Sequence, residues 1–150
     1  MQIGESNGWI LLADTIFIDQ FDRLTNKVER LKQKNPSGYT STNAAKKLAA
    51  VTHLVTDIIP RNPAGEQFQL GKTFPSEFRH WRRAKFFQQY RLFFRFDSKS
   101  KVIIFSWFND DENLRAYESQ SDAYRVFKKM LERGKTPTNW IELLESTRSQ

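Results

Sequence analysis

Phe17, Phe21, Leu24, Val28 and Leu31 recur at alternating spacings of four and three. That rhythm lays one apolar stripe along a helix and predicts α-structure over residues 14–34, stopped by "NPSG" at 35–38. Leu48, Val51, Val55 and Ile58 repeat the pattern. They predict a second helix over about 43–59, with Thr42 or Asn43 as N-cap and Pro60 as its end. Residues 60–77 hold three of the five prolines and two glycines and read as loop. Shorter runs rich in β-favouring residues predict strands at 8–13, 79–87, 90–97 and 101–108. The segment 109–120 is polar and irregular. "SDAYRVFKKMLERG" (121–134) predicts a helix capped by Ser121 or Asp122 and stopped at Gly134, and a shorter helix begins near Asn139. The order β-α-α-β-β-β-α-α predicts one α+β domain over 1–150. Its antiparallel sheet is expected to be covered on one face by the first two helices.

Composition narrows the partners. Of 150 residues, 24 are Lys or Arg and 17 are Asp or Glu, a net charge of +7 that favours an acidic partner, nucleic acid first. There is no cysteine, so disulfides, thiolate catalysis and cysteine metal sites are excluded. His53 and His80 lie far apart without zinc-ligand spacing, and no metal or cofactor is expected. His53 is out of phase with its helix's stripe and is expected on the surface. The N-terminus lacks a signal-peptide pattern and no apolar run approaches a membrane span, so the expected location is the cytoplasm, with no membrane partner.

"RRAKFFQQYRLFFRF" (82–96) carries five cations on a hairpin pattern. A two-residue turn at Gln88-Gln89 would mix charged and apolar side chains on both faces. A three-residue loop at 88–90 separates them. One face then carries Arg83, Lys85, Arg91 and Arg95 with Phe87 and Phe93, and the other carries Ala84, Phe86, Leu92, Phe94 and Phe96. Arg83 would stand opposite Arg95, unfavourable without an anion between them. Cations interleaved with rings on an open sheet face suit single-stranded RNA, phosphate on charge and base on ring. The plainer reading is a solvated basic face.

"NGW", "RAKFFQQYRLFFRF", "KVIIFSWFNDDENLRAY" and "SDAYRVFKKMLERG", in that order from Gly8 to about Trp140, resemble the YhaV toxins of the RelE/ParE superfamily. The resemblance implies a RelE-like β-α-α-β-β-β core with added C-terminal helices. It implies an endoribonuclease acting on mRNA, linked to translating ribosomes, and neutralised by a PrlF-like antitoxin. Operator DNA would be a partner only of the toxin–antitoxin complex. By the same resemblance Arg91 contacts the scissile phosphate, and Arg83 and Lys85 are the paired basic positions of the preceding strand. Tyr124 takes part in cleavage, and Arg115 stands for a basic residue between the last strand and that tyrosine.

RNA cleavage through the 2′-hydroxyl needs a base, charge neutralisation at phosphorus and an acid for the 5′-oxygen. Arg91 suits the phosphate, because its fork matches phosphate oxygens. Lys85 or Tyr124 could act as base, and His80 is a reserve candidate at the edge of the basic face. Each has a plain competitor. Arg91 and Arg95 could pair with helix carboxylates, and Arg115 with Asp110 or Asp111. Tyr124 forms a core stripe with Phe127 and Leu131. Trp107 reads as core, and the run Asp110, Asp111, Glu112 as solvated loop. Two rival functions remain open: a non-enzymatic nucleic-acid-binding module, and a ParE-like gyrase poison.

Overall fold

A computed structural model describes residues 1–72, 74–109 and 121–148. The chain opens with a hairpin, β1 (Gln2–Ser6) and β2 (Trp9–Ala13), where the pattern predicts one strand. Asn7 (φ 52°) and Gly8 (φ 83°) form its two-residue turn, the conformation for which Asn-Gly is favoured. α1 (Thr15–Lys34) matches the expected span, and its N-cap Asp14 accepts a bond from the Phe17 N–H at 3.0 Å. α2 (Asn43–His53) is capped by Thr42, one of the two expected caps. It continues through a π-helical turn, Leu54–Ile58, into a last turn at Ile59–Arg61. The helix thus passes Pro60 by one residue: the turn before it is π-wound, and the Thr56 carbonyl, four residues before the proline that lacks an N–H, accepts from the Ser6 hydroxyl at 2.7 Å.

β3 (Arg82–Phe86), β4 (Tyr90–Asp97) and β5 (Val102–Phe108) follow, then α3 (Ser121–Glu132) and α4 (Trp140–Ser146). Gly134, at φ 72°, ends α3, and Asn139 caps α4. The predicted α+β class holds, but the sheet is mixed. Its order is β1-β2-β5-β4-β3, with β2 parallel to β5 and the other pairs antiparallel.

The expectation of one covered face is also corrected. α1 and α2 bury Phe17, Leu24, Val28 and Val51 against Ala84, Leu92, Phe94, Ile103 and Phe105. The opposite face has its own core, in which Phe93, Val102, Ile104 and Trp107 meet Phe74, Trp81, Phe127, Leu131 and Leu143. The reason lies in β5: "VIIFSWF" is apolar on both faces, and such a strand is stable only between two layers. A bulge assists. Phe93 pairs with Trp107 but Phe94 with Phe105, leaving Ser106 as the extra residue. It lets Phe105 and Phe108, three apart, enter the same core while Trp107 enters the other.

Candidate nucleic-acid interface

The β3–β4 loop is three residues long, as the separation of charge from apolar groups requires, but it spans 87–89. Phe86 therefore pairs with Tyr90, Lys85 with Arg91, and Arg83 with Phe93. The expected Arg83–Arg95 opposition does not occur. The shift lets the Phe86 and Tyr90 rings stack at 5.2 Å and close the hairpin over the helical core. Phe87 moves into the turn, at φ 48° with 51% of its surface exposed.

Tyr124, on the first turns of α3, reaches this hairpin. Its ring stands edge-on to Phe74 (6.2 Å) and Phe93 (5.8 Å), at the border of the second core. Its hydroxyl oxygen accepts Nε–H bonds from both Arg83 (2.9 Å) and Arg91 (3.0 Å). An apolar body in the core and a polar tip at its margin is a common use of tyrosine. Arg83 also donates from Nη1 to Gln67 O at 2.6 Å. Arg91 is only 4% exposed. Its Nη1 donates to Gln88 O (2.7 Å) and Tyr90 O (2.8 Å), which fixes the plane of the guanidinium. Lys85, directly across from Arg91, is exposed.

The structure thus brings Arg83, Lys85, Arg91 and Tyr124 into one cluster, with Phe87 at the hairpin tip. Phe93 and Arg95 are not available as expected, since the face that would expose them is covered. Phe93 is fully buried, stacked on Phe127 at 4.4 Å. Arg95 is held between the rings of Trp81 (5.7 Å) and Trp140 (5.5 Å) and donates to Thr138 O. Burial, with Arg82 nearby, lowers its pKa from the ordinary arginine value. Trp107 is core, as its apolar surroundings suggest. His80 stands in the exposed turn before β3, and His53 is exposed on α2. Arg115 and the acidic run 110–112 lie outside the described residues. Among the described residues, no group of three or more His, Cys, Asp or Glu could hold a metal ion, and no helix is long and apolar enough to cross a membrane.

Sequence reasoning missed the polar residues that hold this cluster from beneath: Gln20, Lys47 and Asn109, all buried. The signal was present for two of them. Gln20 falls in phase with Phe17 and Leu24, and Lys47 in phase with Ala44 and Val51, so each is a polar residue on a buried stripe.

Comparison with known proteins carries the same reading. Residues 11–148 match a family described as a toxin with endonuclease activity, of a toxin–antitoxin system. The chain is 43% identical over 143 residues to "Ribonuclease toxin YhaV" of Escherichia coli strain K12, covering 94% of this chain and 93% of that protein. The same identity and coverage hold for "Toxin YhaV" of Escherichia coli O6:H1. No solved structure is a significant match. With a family match over nearly its whole length and relatives of that similarity, the chain belongs to the YhaV toxins, a family with endonuclease activity within toxin–antitoxin systems.

Proposed function

We propose that this chain is an endoribonuclease that cuts mRNA at the Arg83–Lys85–Arg91–Tyr124 cluster, without a bound metal, and is silenced by a PrlF-like antitoxin. The observation that carries the proposal is the Tyr124 hydroxyl held by two arginine Nε–H groups beside an exposed lysine. RNA as the substrate class is supported by the ribonuclease name of a 43% identical relative and by the net charge of +7. A RelE-like core is supported by the observed order of two helices followed by three consecutive strands.

In this mechanism the 2′-oxygen attacks phosphorus, the P–O5′ bond breaks, and a 2′,3′-cyclic phosphate is left. Arg91 and Arg83 neutralise the charge that grows on the non-bridging oxygens. With two donors on its oxygen, Tyr124 has its own proton left to give, which suits it to protonate the departing 5′-oxygen. Lys85, exposed across from Arg91, acts as the base: as the free amine it takes the 2′-hydroxyl proton as the O2′–P bond forms. Phe87 offers a ring to a flanking base. Placement of mRNA by the ribosome supplies orientation to a cluster that sits at a surface.

The test is cleavage of a defined mRNA by purified protein, with and without translating ribosomes and with EDTA throughout. Wild type should cut, and Arg91→Ala and Tyr124→Phe should lose on the order of 10²-fold or more in rate while still binding RNA. Cutting only on ribosomes makes the ribosome part of the active assembly. Uncut RNA in both settings sinks the proposal, and gyrase inhibition alongside it would favour the ParE-like alternative.

A further inference from the structure

Polar side chains from the helical layer converge on two residues at the end of β5. Gln20 of α1 grips the Phe108 backbone with both ends of its amide, donating to the carbonyl at 2.5 Å and accepting from the N–H at 3.2 Å. Lys47 of α2, 3% exposed, donates to Asn109 O at 3.0 Å. Its ammonium lies over the Tyr90 ring at 4.2 Å. Asn109, 2% exposed, passes the connection through the sheet. Its Oδ1 accepts the Arg91 N–H at 2.6 Å, its Nδ2 donates to Gln89 O at 3.0 Å, and its own N–H donates to Arg91 O at 3.3 Å. Helix, strand end, loop and arginine backbone are thereby one hydrogen-bonded unit.

Packing alone does not call for this arrangement. A methionine at 47 would fill the same space without desolvating an ammonium. What the unit holds is an unfavourable conformation. Phe87 and Gln88 both lie at positive φ (48° and 61°), a region that side chains of this size avoid. Side chains pin two of the loop carbonyls, Asn109 bonding Gln89 and Arg91 bonding Gln88. Strained backbone kept in place by buried polar groups, next to a cluster of cations, is a means of aiming those cations.

We propose that Lys47 and Asn109 are positioning residues for RNA cleavage: they fix the Arg91 backbone and the 87–89 loop so that the Arg91 guanidinium meets the scissile phosphate. Lys47 lies in the helical core and does not touch RNA. The inference rests on the reading of Arg91 as the phosphate-binding residue.

The experiment is single-turnover cleavage of a defined mRNA, in whichever setting, free or ribosome-bound, wild type cuts. Lys47→Met and Asn109→Ala are expected to lower the maximal cleavage rate roughly tenfold to a hundredfold, while the enzyme concentration that gives half of that rate barely moves. Lys47→Arg, which restores a donor and a cation, should recover most of the rate. In an Arg91→Lys background, Asn109→Ala should add little further loss, because both act through one group. Circular dichroism and thermal melting confirm folding. Should Asn109→Ala fail to fold, Lys47→Met, which keeps the packing of the side-chain stem, decides. Folded Lys47→Met cutting at the wild-type rate overturns the inference, as does a fully additive loss in the Arg91→Lys background. Wild-type cleavage by Arg91→Ala instead overturns the site reading itself.

Discussion

Phe93 and Phe94 are neighbours in β4, both fully buried, yet they enter different cores. Phe94 meets Phe68 edge-on at 5.4 Å beneath the helical layer. Phe93 lies among Phe74, Trp107 and Phe127 and touches the edge of Tyr124. The two sides handle polar groups differently. Beneath α1 and α2, the buried polar groups Gln20 and Lys47 grip backbone at the end of β5. On the other side arginines are buried among aromatic rings and bonded to carbonyls and a hydroxyl. One side braces the strand ends, and the other holds the cations that the proposed chemistry uses.

Truncating the paired phenylalanines should separate these roles most strongly. Phe93→Ala and Phe94→Ala should each cost about 3–5 kcal/mol in urea unfolding. Among the molecules that remain folded, only Phe93→Ala should also cut RNA more slowly, because it alone removes a ring against which Tyr124 is set. Equal specific activity in both variants would break the comparison.

Asp14 probes the bracing side by pH. Burial raises its pKa to about 7, against an ordinary 3.8, despite its bond from Phe17. A carboxyl raised on folding binds its proton more tightly in the native state. Its contribution is therefore fully present below pH 4 and is lost as pH rises through about 7. Melting temperature should climb as pH falls from 8 towards 5. Asp14→Asn, which keeps a capping oxygen, should flatten that slope by an amount of order a few kcal/mol. An unchanged slope in Asp14→Asn would remove Asp14 as the cause.

The smallest effect is expected at Arg95. Replacing a buried guanidinium by a linear apolar chain exchanges cation–π contacts for relief of desolvation. Arg95→Met should therefore change stability by no more than about 1 kcal/mol and leave cleavage intact. A large loss of cleavage in that variant would return Arg95 to the RNA-binding set.

Local pattern placed most elements because each is driven by short-range periodicity. The stripes of α1 and α2, the Thr42 cap and the α3 stop at Gly134 are visible in windows of a few residues. The β1 strand was missed although Asn7-Gly8 announces a hairpin, because "QIGES" carries little apolar alternation. The odd β3–β4 loop was legible, since only an odd count puts charge and core on separate faces. Its exact start was not, because stacking of Phe86 on Tyr90 chose between registers of equal parity.

What the sequence determined by itself was the class of elements, the sidedness of the basic hairpin and, through extended similarity, the toxin family. What only the tertiary structure decided was which cations stand together around Tyr124. The second aromatic core covers the sheet face, seals Phe93 and Arg95, and leaves Arg83, Lys85, Arg91 and Tyr124 together at its margin. Residues 83 and 124 are 41 positions apart, and Lys47 and Asn109 are 62 apart. Side chains that distant meet only when strand pairing and helix packing bring them together, and periodicity within one element carries no record of that encounter.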